Sequence, residues 1–141
     1  VGGQWLDLDA EAANPTLEEL EQIHRRKTAA LLVAAVRLGA RAARADTRQL
    51  AALTAYAGAL GLAFQIADDL LDVTGRPAVT GKHAGHDRER DKATFVTVLG
   101  EAHARRRGLR ETECAIDALA RVGLDVPPLV SLARFAIERD R

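Results

Sequence analysis

Asp68, Asp69 and Asp72 fall in the segment FQIADDLLD, residues 64–72. On a helix, Asp68 and Asp72 project from one face, with about 6 Å of rise between them. Gln65, three positions before Asp68, joins that face, and Gly61 before it leaves the face uncrowded. Like charges four apart destabilise a helix by about 0.2–0.5 kcal/mol. Aspartate is also a poor helix former, and three of them here meet the negative end of the helix dipole. Such breaks of local rules gather at functional sites. A divalent cation would remove the conflict, and carboxylates without cysteine or paired histidine suit Mg²⁺, which completes its shell with substrate phosphates. The competing reading is a solvated acidic face. Lys82, in a glycine-rich stretch ten residues past Asp72, Lys92 beyond it, and Lys27-Thr28 upstream bear on the choice. Singly, each lysine reads as a surface residue. Together with the carboxylates they outline a site for Mg²⁺ and a diphosphate.

Helices must carry these groups. Thr16 opens a long one with the capping box Thr16–Glu19. Leu17, Leu20, Ile23, Leu31, Ala35 and Leu38 keep helical spacing along it, and Gly39 is placed to end it. A second helix starts near Asp46 or Thr47 and reaches Val73 or Thr74. Its stripe Leu60, Phe64, Ala67 and Leu71 is expected to face the core. Gly75, Pro77 and Gly81 then break the chain, and residues 75–91 read as a polar loop, long for a connector. Helix resumes near Thr94 and runs to Arg121, with a break expected at Gly100 or Gly108. Asp125 to Pro128 opens a last short helix. Residues 3–12 read as the end of an earlier helix, closed by the Asn14-Pro15 turn.

Composition supports an all-α chain of one domain. Of 141 residues, 48% are hydrophobic, mostly Ala, Leu and Val, and only 4% are aromatic. Strands would want more β-branched and aromatic residues. Twenty basic and twenty acidic residues balance to zero, which leaves no field for a nucleic-acid partner. Residues 50–67 carry no charge over 18 residues, at the lower edge of membrane-spanning length. The run is rich in Ala and Gly, ends on Asp68-Asp69 and lacks flanking basic clusters, so a buried core helix is expected rather than a span. The single cysteine, Cys114, forbids an internal disulfide, fits a reducing cytosol and reads as a small buried apolar residue. His83 and His86 lack a further evident ligand for a soft metal. Arg105, Arg106, Arg107 and Arg110 read as a solvated helix face. The opening Val1-Gly2-Gly3 reads as an interior rather than a start.

Four segments, in order, carry a resemblance. VGGQWLDL, HRRKTAAL, FQIADDLLDVTG and GKHAGHD with the following DKAT resemble motifs of the trans-isoprenyl diphosphate synthases, which include farnesyl and geranylgeranyl diphosphate synthases. The resemblance implies a helical bundle, the C-terminal part of the isoprenoid synthase fold, over residues 1–141. It implies a cytoplasmic, Mg²⁺-dependent prenyltransferase that joins isopentenyl diphosphate to an allylic diphosphate, as a homodimer. Asp68 would be the principal metal ligand, with Asp72 and Asp69 acting directly or through water. Lys27, Lys82 and Lys92 would bind the diphosphate. Thr28 and Gln65 would lie beside the developing cation, and Gln4 and Asp7 would line the cavity. Asp87 matches a further aspartate near that site. The family's first aspartate-rich motif has no counterpart here, because Asp68-Asp69 is the one Asp-Asp pair in the sequence. The chain is therefore expected to be inactive alone. A non-catalytic subunit of a heteromeric synthase is the alternative. A terpene cyclase is disfavoured by the Lys-Thr segment and the lysine loop.

Overall fold

The Thr16 capping box forms as its sequence predicts in the computed structural model, which describes residues 15–74 and 93–138. The Thr16 N–H donates to Glu19 Oε2 at 2.8 Å, and the Glu19 N–H donates to Thr16 Oγ1 at 3.3 Å. The bond from the Thr16 backbone, with help from its hydroxyl, holds the Glu19 carboxyl below its usual range. From this cap α1 runs over Leu17–His24, followed by a π-helical turn at Arg25–Ala29 and by α2 at Ala30–Ala42. All regular elements among the described residues are helical. The helix end expected at 3–12 and the loop expected at 75–91 lie outside the described residues.

The π turn changes which residues the long helix buries. α1 buries Leu20, Ile23 and His24. At 3.6 residues per turn the same stripe would continue through positions 27, 31, 34–35 and 38, the spacing expected above. A π turn holds one additional residue and advances that phase. Ala29 and Ala40 are buried in consequence, and Val33 and Val36 pack against the core. Leu31 and Leu38 instead stand 76% and 71% exposed, with Ala35 exposed between them. The expected single stripe is thus two stripes on different faces.

Gly39 does not end α2. The helix stops after Ala42, where Arg44 takes the left-handed φ of 57° and the Ala45 N–H donates back to the Ala40 carbonyl at 2.9 Å. Reciprocal bonds between Asp46 and Gln49, at 2.8 and 3.0 Å, then open α3 at Thr47–Thr74. Every other described element packs on α3. Toward its C-terminus Leu62, Ile66 and Leu70 meet Leu20, Phe95, Val96 and Ala104. Toward its start Tyr56, Ala57 and Leu60 meet Ala115, Leu119, Ala133 and Ala136. By length and composition alone α3 would suffice to cross a membrane, a test that core helices also pass. Of its expected core stripe, Leu60 and Ala67 are buried, Leu71 is half-buried and Phe64 is 38% exposed.

α4 spans Phe95–Leu99 and α5 spans Glu101–Ala120, separated at Gly100, whose φ of +78° a side chain would strain. Gly108, the other expected break, sits inside α5, where a Cβ would fall 2.5 Å from Ile137 Cδ1. α6, Pro127–Glu138, closes the bundle. Two readings of α5 need correction. Cys114 is exposed, because it lies off the stripe that carries Thr112, Ala115 and Leu119 inward. Arg107 is not merely solvated. It reaches Glu21 of α1 at 2.8 Å and Glu111 at 2.9 Å, tying α1 to α5.

Candidate active site

The site begins where α3 crosses the π turn. A Cβ on Gly61 would lie 2.5 Å from Ala29 Cβ and 2.7 Å from Ala29 Cα, so the two backbones touch. Gly61, expected above to leave the carboxylate face uncrowded, permits this crossing. Thr28 precedes Ala29, and Gln65 follows Gly61 by one helical turn. At that separation the Thr28 hydroxyl donates to Gln65 Oε1 at 3.0 Å. Lys27, half-buried, belongs to the same π turn. π turns recur at functional sites because they present side chains that a regular helix would not. The Lys27-Thr28 pair, 37 residues before Gln65 in the case of Thr28, is thereby delivered to the aspartate-bearing helix.

The three aspartates diverge. Asp68 is exposed, and Asp72, one turn on, is half-buried. Asp69 is only 5% exposed. Its Oδ2 accepts the Phe95 N–H at 2.8 Å, and its Oδ1 faces Gln65 Nε2 at 3.5 Å. Asp68 and Asp72 supply hard oxygen donors from one helix face, the donor type that Mg²⁺ takes. Among the described residues no group of three His, Cys, Asp or Glu converges on a metal. Two carboxylates suit an ion that shares its shell with phosphate oxygens and water, which is how Mg²⁺ is usually held.

The start of α4, expected near Thr94, joins the site through a backbone contact that the sequence alone does not show. Thr94 caps α4, with its hydroxyl accepting from the Thr97 N–H at 3.1 Å. Phe95 is fully buried, and its ring stacks on His24 with centroids 5.3 Å apart. The Thr94–Thr97 spacing is a readable helix start; that its next N–H would meet Asp69 is not. Gln4, Asp7, Lys82, His83, His86, Asp87 and Lys92 lie outside the described residues. Lys92 stands two positions before the Thr94 cap.

A family model described as polyprenyl synthetase matches residues 1–117. The chain is 44% identical to farnesyl diphosphate synthase of Escherichia coli (strain K12), over 99% of this chain and 48% of that protein. It is similar in structure to a polyprenyl synthase from Caulobacter crescentus CB15 complexed with calcium and isoprenyl diphosphate. That match has a TM-score of 0.90 at 27% identity and covers 99% of this chain and 55% of the other. It is also similar to a geranyltransferase from Helicobacter pylori complexed with magnesium and isoprenyl diphosphate. Here the TM-score is 0.78 at 28% identity, over 97% of this chain and 45% of the other. The chain spans about half the length of the curated relatives it matches.

Proposed function

The chain belongs to the polyprenyl synthetase family, and on that premise we propose that it is the C-terminal, metal- and diphosphate-binding half of a cytoplasmic prenyltransferase. The reaction joins isopentenyl diphosphate to an allylic diphosphate. The allylic C–O bond breaks, its electron pair leaves with the diphosphate, the isopentenyl double bond attacks the allylic carbon, and a proton is lost. The observation that carries the reading is the Thr28–Gln65 bond, which brings the Lys-Thr turn to the aspartate helix.

In this reading Asp68 and Asp72 would hold Mg²⁺, which would supply positive charge to the leaving diphosphate. The solved Helicobacter pylori relative, complexed with magnesium and isoprenyl diphosphate, supports that choice of ion. Lys27, Lys82 and Lys92 take the diphosphate oxygens. Thr28 and Gln65 present oxygen dipoles toward the allylic carbon as it becomes positive. Gln4 and Asp7 line the cavity, and exclusion of water keeps the cation from hydrolysis. The missing first aspartate-rich motif would come from the other half of the enzyme.

The experiment is calorimetry with inorganic pyrophosphate and Mg²⁺ on the 141-residue chain. Each ligand should enhance binding of the other, and Asp68→Ala should abolish the enhancement, a loss of at least about tenfold in pyrophosphate affinity at fixed Mg²⁺. Equal binding by wild type and variant would sink the assignment. A second reading, a non-catalytic subunit that lends its helices to a heteromeric synthase, draws on the exposed face of Leu31 and Leu38. Turnover of isopentenyl diphosphate restored by a separately made N-terminal half favours the first reading, and stimulation of a complete synthase subunit favours the second. A homodimer of complete chains is the assembly that the first reading favours.

A further inference from the structure

Asp69 sits in the aspartate motif yet turns away from its neighbours. It is 5% exposed, while Asp68 beside it is exposed. Its Oδ2 accepts the N–H of Phe95, the first residue of α4, at 2.8 Å. That N–H is one of the helix-start donors with no partner inside the helix. The Thr94 hydroxyl serves Thr97 instead. Oδ1 faces Gln65 Nε2 at 3.5 Å, and Gln65 Oε1 accepts the Thr28 hydroxyl at 3.0 Å. One chain of polar contacts therefore links the π turn, α3 and the start of α4. If Asp69 swung out to a metal, the buried Phe95 N–H would lose its acceptor, a penalty larger than the bond's net worth.

Building on the functional reading above, we propose that Asp69 is a positioning residue rather than a metal ligand. It clamps the start of α4 against α3 and keeps the Gln65 carbonyl aimed at Thr28. The clamp also fixes the start of α4, three positions after Lys92 in the sequence. The side chain touches no reacting atom in this role; it acts through Gln65 and through the α4 backbone.

Asp69→Asn separates the two roles. Asparagine keeps a carbonyl oxygen for the Phe95 N–H. Its new amino group faces Gln65, whose amide can turn over, with the Thr28 hydroxyl then accepting instead of donating. The relay survives reversed, whereas a metal ligand would be lost. Two measurements are made on the 141-residue chain: amide hydrogen exchange at Phe95 by NMR, and the Mg²⁺ concentration that half-saturates inorganic pyrophosphate binding. Asp69→Asn should leave Phe95 protection within about threefold of wild type and the Mg²⁺ midpoint within about twofold. Asp69→Ala should speed Phe95 exchange at least about tenfold, and Asp68→Asn should raise the Mg²⁺ midpoint at least about tenfold.

A rise in the Mg²⁺ midpoint of Asp69→Asn to match Asp68→Asn would overturn the proposal. So would Phe95 protection that Asp69→Ala leaves unchanged. Should Asp69→Ala fail to fold, Asp69→Asn decides by the same two readouts. If wild type shows no Mg²⁺-dependent pyrophosphate binding, the functional reading fails, and Phe95 exchange in the ligand-free chain still decides the clamp.

Discussion

Tyr56, the sequence's one tyrosine, donates its hydroxyl to the Leu129 carbonyl at 2.8 Å from a ring that solvent does not reach. The bond crosses 73 residues of sequence and fixes α6 to α3. Burial raises the phenol from 10.0 to about 12, so the folded chain keeps a proton that the unfolded chain releases between those values. The unfolded state binds fewer protons in that window, and stability falls as pH rises through it. Tyr56→Phe should lower stability by about 1 kcal/mol at neutral pH, because the Leu129 carbonyl loses its donor. It should also remove part of the alkaline decline. Melting curves of both chains across the window check this, and ultraviolet titration of the lone phenol reads its ionisation directly. A tyrosine that titrates near 10 in the folded chain would contradict the burial argument. At the same scale, Asp68 and Asp69 show how far adjacent carboxylates can part: one residue of helix turns the first toward solvent and the second into the bundle.

At the scale of elements, the crossing of α3 over the π turn decides the site. Gly61→Ala would place a methyl 2.7 Å from Ala29 Cα, a contact with backbone that no rotamer relieves. The expected cost is about 2–3 kcal/mol, with the Thr28–Gln65 bond lengthened or lost. Adding Ala29→Gly should recover only part of this, since the Ala29 backbone remains in the way. Denaturant unfolding of the single and double variants measures both effects. Much of the architecture was legible from sequence. The Thr16–Glu19 box, the extent of α3 and the break at Gly100 follow from caps, periodicity and a glycine with positive φ. The lysine-threonine and aspartate motifs were legible as types, and Thr28 and Gln65 do meet. The π turn was not legible, because residues 25–29, RRKTA, hold no glycine or proline to announce it. It sits where Gly61 and Ala29, residues far apart in sequence, bring two backbones together. The Asp69–Phe95 bond was hidden for the same reason, since it spans 26 positions.

For the whole molecule, the face of α2 that carries Leu31, Ala35 and Leu38 has no cover among the described residues. Exposed apolar patches above a few hundred Å² favour association. The 141-residue chain should melt about 2–4 °C higher for each tenfold rise in its concentration. Leu31→Glu with Leu38→Glu should erase that dependence without lowering the melting temperature in dilute solution. Calorimetric scans over a concentration series, with sedimentation to read the assembly, test both statements; a concentration-independent melt of the unaltered chain would refute them. The single added residue of the π turn has its own worth to the gene. Loss of one codon between 25 and 29 would barely alter composition or hydropathy. The turn would close as regular helix, with everything downstream in its present phase to Leu20 and Ile23 and with Leu31, Ala35 and Leu38 still outside. What would go is the bulge itself, and with it the placement of Thr28 against Gln65. In this stretch the number of residues in a helix, more than the identity of any side chain in it, decides whether two distant motifs meet.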